Sequence, residues 1–321
     1  MEVQHLLAKW NLLDRDITTN FKSLRIDSIA IPDLYIGISQ ERRRCLILRL
    51  PLGYVPDFQS SVKQNLSLEL YRETRWIVLT LLDDQYFDLF DDLIISIYYK
   101  IGAISETPSY VGELLKTYYK WSEFFQDSSG DVLSDDQIKG LFGELVYLEE
   151  MLKHASSKEI NNILYSWKGP YDTGHDFVGE ILNIEVKTKS QSGVSVKISS
   201  EYQLLKEPGK DLELAVVSME RDPLNGFTIK ELLLRIREQI IVKLGDYTIV
   251  LKALAQKGLT LSKLDEYSCL KFSPLEITSY DCDHHDFPKI VRTLLPSAIS
   301  SVGYRLRLNE LQDFIIHIKP L

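Results

Sequence analysis

The sequence predicts an α/β protein with α+β flanks. Three observations carry that expectation. In "NIEVKTK" (183–189), charged Glu185, Lys187 and Lys189 alternate with Ile184, Val186 and Thr188, which is the period of a strand. In "QIKGLFGELVYLEEMLKH" (137–154), Ile138, Leu141, Leu145, Leu148 and Leu152 are spaced by threes and fours, the period of a buried helical stripe. Between residues 131 and 225 the runs follow in the order helix, three strands, helix, strand.

Each element has its own justification. "CLILRL" (45–50) reads as a buried strand, and "LSLELYRETRWIVLTLL" (66–82) as two strands around a polar turn near Arg72–Thr74. A helix is expected from Asp84 to about Tyr99, a break at "SETPSY", and helical spacing again over "VGELLKTYYKWSEFF" (111–125). "QDSSGDVLSDD" (126–136) is polar and marks a boundary, after which Ser134 caps a helix reaching about His154. Three strands are expected at about 175–179, 181–189 and 193–199, then a short helix at "SEYQLLK" and a strand at "ELAVVSMER" (213–221). "PLNGF" (223–227) is a second boundary. Beyond it lie the helical "IKELLLRIREQII" and the strand-like "CLKFSPLEITSY". The expected domains are therefore an N-terminal α+β unit (1–130), a core (131–225) and a C-terminal α/β extension packing on it (226–321).

Bulk composition bounds the function. With 321 residues, 45% hydrophobic and 26% charged, the chain can bury a substantial core without staples. Its three cysteines, Cys45, Cys269 and Cys282, form no CxxC pair, which argues against a disulfide framework or structural zinc and fits a reducing compartment. The start "MEVQHLLAKWNLLDRD" lacks a signal-peptide pattern, and an apolar run such as "LIISIYY" (93–99) is far too short for a membrane span. A cytoplasmic protein with no membrane partner is expected. The net charge of −9 warns against a uniformly basic, nucleic-acid-binding surface. Charge is segregated, however: "DDQYFDLFDD" (83–92) holds five aspartates and no base, whereas "VKTKSQSGVSVK" (186–197) holds three lysines and no acid.

The chemistry gathers around 144–189. In an antiparallel pair joined by a tight turn at Gly179–Glu180, Asp176 and Glu185 lie close across the ladder. Two facing carboxylates repel unless a hard cation such as Mg²⁺ takes their oxygens. Lys187, two residues past Glu185, is then placed to orient water or stabilise charge on a phosphate.

Asp176 followed by Glu185-Val186-Lys187, after a helix bearing Glu144, resembles the PD-(D/E)XK nuclease superfamily. The element order resembles its restriction-endonuclease-like core, a mixed central sheet flanked by helices. More narrowly, "GLFGELVYLEEML", "W.GP", "HDF", "IEVKTK" and "SSEYQL" resemble prokaryotic proteins described as PD-(D/E)XK motif proteins, often found in restriction or phage-defence clusters. The resemblance covers roughly residues 137–205. It implies a Mg²⁺-dependent endonuclease, Mn²⁺ substituting, that acts on DNA. Asp176, Glu185 and Glu144 are implied as metal ligands, with the Val186 carbonyl as a further one, and Lys187 as the residue assisting water. Gln203 is implied to approach from the following helix, and Lys189, Lys197 and Lys206 could track the nucleic-acid backbone. One departure stands out: His175, not proline, precedes Asp176. Partners implied are double-stranded DNA, a second copy in a homodimer, and defence-system proteins. Two other readings stay open: a nuclease-fold partner subunit that does not cut, and an RNA-cleaving effector.

Blander readings stand beside these. Glu144, Glu149 and Glu150 share a helix and could be a solvated acidic face. "DCDHHD" (281–286) is expected as a loop in which adjacent His284 and His285 do not face one way. "RRRC" (42–45) reads as a solvated basic run or a phosphate contact. Trp167 reads as a structural anchor. "GxxGE" at Gly140–Glu144 lacks the lysine and preceding strand of a phosphate loop.

Overall fold

The computed structural model describes residues 3–13, 21–56, 58, 60–125, 132–171 and 174–321. The chain forms two compact units, Met1–Ser128 and Ser129–Leu321. Residues 126–131 of the expected polar boundary lie outside the described residues.

The first unit contains helix α1 (Val3–Leu13), strands β1 (Phe21–Arg25), β2 (Asp33–Ser39), β3 (Arg44–Arg49), β4 (Ser61–Val62), β5 (Leu66–Tyr71) and β6 (Trp76–Leu81), and helices α2 (Phe87–Ile101) and α3 (Thr107–Trp121). The strands form one antiparallel sheet in the order β1-β2-β3-β6-β5-β4. Helix α3 begins inside "SETPSY", earlier than expected. Pro108 sits in its first turn, where the missing N–H would have had no partner.

The basic run at 42–45 is not simply solvated. Arg42 takes a left-handed turn conformation (φ 62°) and Arg43 pairs with Glu41 at 3.2 Å. Arg44 pairs with buried Asp91 at 3.1 Å and lies over the rings of Trp10 and Phe87, 4.8 and 4.0 Å from their centroids. Its charge is thus spent inside the unit rather than on a phosphate. The Trp10 indole N–H also donates to Asp91, at 2.8 Å.

Burial nevertheless pushes the Asp91 carboxyl up to about 6, against the pull of Arg44 and Trp10. An acid raised on folding binds its proton more tightly in the native state, so stability falls as pH rises from about 4 through 6. The expected loss is ~2–3 kcal/mol. Asp91→Asn should flatten that share of the slope in urea unfolding at pH 4 and pH 6. Equal slopes for variant and wild type would refute it.

The second unit contains α4 (Asp135–His154), α5 (Ile160–Ser166), β7 (Phe177–Val178), β8 (Leu182–Lys189), β9 (Ser195–Ile198), β10 (Asp211–Arg221), α6 (Ile229–Val242), α7 (Thr248–Gln256), β11 (Phe272–Asp281), β12 (Tyr304–Arg307) and β13 (Ile315–Pro320). Its five-stranded sheet runs β13-β11-β10-β8-β7, with β8 and β10 parallel and the other pairs antiparallel. This is the expected mixed sheet flanked by helices. Residues 226–321 supply β11 and β13 to the same sheet, and Phe227 bridges to Phe272 just past "PLNGF".

Two local expectations differ. Strand β9 leaves the main sheet and pairs with β12, more than a hundred residues on. "SEYQLLK" (200–206) forms turns, not a helix. It is too short to nucleate a helix alone, and Pro208 disfavours helical backbone at Glu207. Its groups are engaged elsewhere: the Glu201 carboxylate accepts from the Val302 N–H at 2.9 Å, and Leu204 is fully buried against Leu212 and Leu214.

Helix α4 starts as the sequence predicts. Ser134 and Gln137 form a reciprocal capping box, with Asp135 and Asp136 in the first turn and Lys153 and His154 in the last. It lies very close to β8 at Gly143, where a Cβ would come 2.1 Å from the Thr188 methyl carbon. Gly143→Ala should destabilise the protein by about 1–3 kcal/mol through overpacking. Thr188→Ala should recover most of that loss in a double-mutant cycle of unfolding free energies. Additive effects would show that the contact is not the cause. Among the described residues, no helix is long and apolar enough to cross a membrane.

Candidate active site

The hairpin of β7 and β8 sets the geometry. Gly179 N–H donates to the Leu182 carbonyl at 3.0 Å, closing the turn, and the ladder pairs Val178 with Asn183 and Phe177 with Ile184. One step further, Asp176 falls opposite Glu185. The segment before it runs alongside: Trp167 bridges to Phe177, and the N–H groups of Lys168 and Gly169 both donate to the Asp176 carbonyl, at 2.6 and 3.0 Å. On its other side the Asp176 carboxylate accepts from the Val186 N–H at 2.8 Å. Asp176 is therefore held by backbone from two directions.

On β8, Glu185 and Lys187 align with Leu214 and Val216 of the parallel strand β10. Neighbours in a sheet share a face, so the two charges stand beside apolar core residues instead of on a solvated surface. Glu185 is 1% exposed and the Lys187 side chain 17%. The Lys187 ammonium pairs with the Glu185 carboxylate. From α4, Glu144 enters the same cluster, its Oε2 accepting from the Trp167 indole N–H at 2.8 Å.

Gly169 shows how closely the acids approach. A Cβ on it would lie 2.2 Å from Glu144 Oε2 and 2.9 Å from Asp176 Oδ1. Two carboxylate oxygens thus border one point that only a glycine leaves open.

The electrostatics follow from crowding. Burial, then the Asp176 charge, pushes the Glu185 carboxyl up to about 8, despite Lys187. Burial also raises Asp176, opposed by Lys187 and the Val186 N–H. Glu144 stands well above the usual carboxylate range through burial, then through Asp176, while the Trp167 hydrogen bond works against this. Burial alone would lower the Lys187 ammonium, but Glu185 and Asp176 hold it above its ordinary value. Three acids crowd around the Lys187 ammonium, with Glu185 fully buried and the others only partly exposed. An oxygen-only donor set with excess negative charge, beside a position no side chain fills, fits a hard divalent cation.

The sequence-predicted residues divide clearly. Glu144, Asp176, Glu185 and Lys187 come together. Lys189 continues along β8 but contacts Ser218 Oγ at 3.2 Å and the Gln191 carbonyl. Lys206 is tied to Asp283 at 2.7 Å and Asp211 at 3.4 Å. Gln203 accepts from the Ser199 N–H, in a turn instead of the expected helix. Lys197 is exposed on β9 opposite Arg305. His175, in the position before Asp176, is buried, with Nε2 at 3.1 Å from the Leu205 carbonyl.

Glu149 and Glu150 are not a solvated face: Glu149 makes a bidentate pair with Arg235 at 2.6 and 2.7 Å, and Glu150 pairs with Lys153 and Lys319. In the loop at 281–286 the His284 and His285 rings do face each other, with centroids 4.6 Å apart, because no regular strand or helix imposes alternation there.

Sequence reasoning missed three neighbours of the acids. Trp167 anchors Glu144, Gly169 leaves the shared space open, and Lys257, just past α7, adds a smaller attraction on Asp176. "WKGP" was the available signal, but nothing in its composition points to partners on two other elements.

A mixed α/β sheet carrying Asp176 and Glu185-Val186-Lys187 on a hairpin, with a helix bearing Glu144 packed on it, is a PD-(D/E)XK-type, nuclease-like fold. The family model described as "Putative PD-(D/E)XK family member, (DUF4420)" matches residues 6–309, nearly the whole chain. The protein belongs to that family. No curated protein and no solved structure matches it.

Proposed function

We propose that this protein is a metal-dependent endonuclease that hydrolyses DNA phosphodiester bonds in restriction or phage defence. The observation that carries the reading is the cluster of Glu144, Asp176 and Glu185 around the ammonium of Lys187. An ordinary strand face would not gather three acids, one of them fully buried, around one base.

Asp176, Glu185 and Glu144 would hold Mg²⁺, with Mn²⁺ able to substitute. When bound, that ion supplies Lewis-acid stabilisation of phosphate charge and a lowered pKa for water. The chain's own groups do the rest. The Val186 N–H and the Trp167 indole fix the orientation of Asp176 and Glu144. Lys187 remains protonated and aims its hydrogen bonds at the entering water and at the phosphate oxygens. As water attacks phosphorus and the P–O bond to the leaving strand breaks, this ammonium offsets the developing charge.

Lys189, Lys197 and Lys206 would track the backbone, each weakening binding as salt rises. Residues 1–130 would serve recognition, dimer or partner contacts, and 226–321 would support the core. One site per chain cutting two strands calls for a homodimer or a defence-system partner.

Gly169→Ala tests the arrangement. It should leave the fold intact and lower Mn²⁺ affinity at least ~10-fold in calorimetry, since its methyl displaces two ligand oxygens. Wild-type affinity would count against the assigned ligands. The reading as a whole is tested by incubating plasmid and single-stranded DNA with Mg²⁺, Mn²⁺ or EDTA. Metal-dependent cutting is expected; no cutting of either under any condition, together with no Mn²⁺ binding in calorimetry, would overturn it.

A further inference from the structure

The second unit holds a cavity of about 290 Å³ where α4 begins and the parallel strands β8 and β10 end. Its floor is Met219, Leu270 and Phe272, all buried, at 1%, 3% and 5% exposure. Its rim carries Asp135, Asp136, Lys139 and Arg221, with Ser190 one residue past β8. The carboxyl ends of parallel strands are where open α/β sheets commonly bind ligands. The size suits a single small planar group.

We propose that this cavity takes one unpaired nucleobase of the substrate strand, reached from the acid cluster across Gly140 on α4. The proposal rests on the nuclease reading and narrows its substrate to nucleic acid with a base turned out of the stack.

The chemistry of the walls selects a base. An apolar floor ending in a phenylalanine suits a π-face. A rim offering both a carboxylate and cations matches a base edge, which carries donors and acceptors together. A phosphate would instead meet Asp135, Asp136 and an apolar floor. Arg221 pairs with Asp135 at 3.9 Å, a loose and largely exposed pair that a ligand can replace. Bases inside a duplex are out of reach of such a pocket, so the occupant must be unpaired or extruded.

Gly140 supplies the connection. Glu144, Gly140 and Asp136 recur every four residues on one helix face, over about 12 Å. Glycine inside a helix is less stable than alanine, so it needs a reason. Packing is the reason at Gly143, where a Cβ would strike Thr188. At Gly140 a Cβ would meet nothing within 4 Å. The α4 surface between Glu144 and the cavity therefore carries no side chain at Gly140, although local packing does not demand a glycine there.

The test is fluorescence anisotropy in EDTA, so that nothing is cut. The probes are a short labelled single-stranded DNA and the same DNA with abasic positions. The proteins are wild type, Gly140→Leu and Arg221→Ala. Wild type should bind the base-bearing strand about tenfold more tightly than the abasic one, a typical stacking contribution. Gly140→Leu should lose about that factor while its thermal midpoint stays equal or rises. Arg221→Ala should narrow the preference. Equal binding of both strands, or wild-type affinity in Gly140→Leu, overturns the base site and leaves plasmid cleavage to stand. Failure to bind either strand, together with failure to cut plasmid, overturns the nuclease reading as well.

Discussion

Lys187→Ala should lower the cleavage rate by about 10²–10³-fold or more while the protein still folds and still binds a divalent ion. The Lys187 ammonium is paired with Glu185 and drawn upward in pKa by Glu185 and Asp176. Removing it takes away the positive charge that would meet the phosphate at its most negative point. The structural cost is limited because Glu185, already pushed up to about 8, can take a proton at neutral pH and shed its uncompensated charge. Lys187→Met keeps the aliphatic stem and separates charge from packing. Both variants should retain the wild-type circular dichroism spectrum and calorimetric Mn²⁺ binding, with cleavage of plasmid lost. Wild-type-like cutting by either would sink the assignment of Lys187.

Much of this site was legible because its determinants are local. The two-residue period of 183–189 fixes which side chains of β8 share a face, and a tight turn at Gly179 carries Asp176 to Glu185 by counting alone. The helical stripe and Ser134 cap likewise placed Glu144 on α4. Where partners are distant in sequence, the local pattern was silent or misleading. Glu149 and Glu150 looked like solvent-facing acids because Arg235 and Lys319 reach them from α6 and β13. The alternating charge of 183–189 gives the strand period but not its burial, which the parallel partner β10 and the cluster around Leu214 and Val216 supply. "SEYQLLK" has helical spacing, but tertiary contacts of Glu201 and Leu204 override it. Trp167 and Gly169 act across three elements, so no single stretch announces them.

Asp176→Asn should stabilise the metal-free protein at pH 8 by ~1–3 kcal/mol while removing its response to divalent ions. The sign follows from the direction of the shifts. Glu144, Asp176 and Glu185 are all raised on folding, primarily by burial, and the Asp176 charge further raises Glu144 and Glu185. Groups raised in this way bind protons more tightly when folded, so metal-free stability declines as pH climbs from about 4 through the folded value near 8 for Glu185. Asparagine keeps an oxygen for the Val186 N–H but removes one of the mutually repelling charges. The decline should therefore flatten, with variant and wild type close at pH 5 and furthest apart at pH 8. A bound cation relieves the same repulsion in the wild type, so Mn²⁺ should raise its urea midpoint and leave the variant's nearly unchanged. Unfolding curves at pH 5 and pH 8, in EDTA and in Mn²⁺, decide the matter. A variant less stable than wild type at pH 8 in EDTA would mean that the acids are structural partners of Lys187, held together for stability. A variant more stable but inert to Mn²⁺ would mean that the fold bears a local electrostatic strain for the sake of binding a cation.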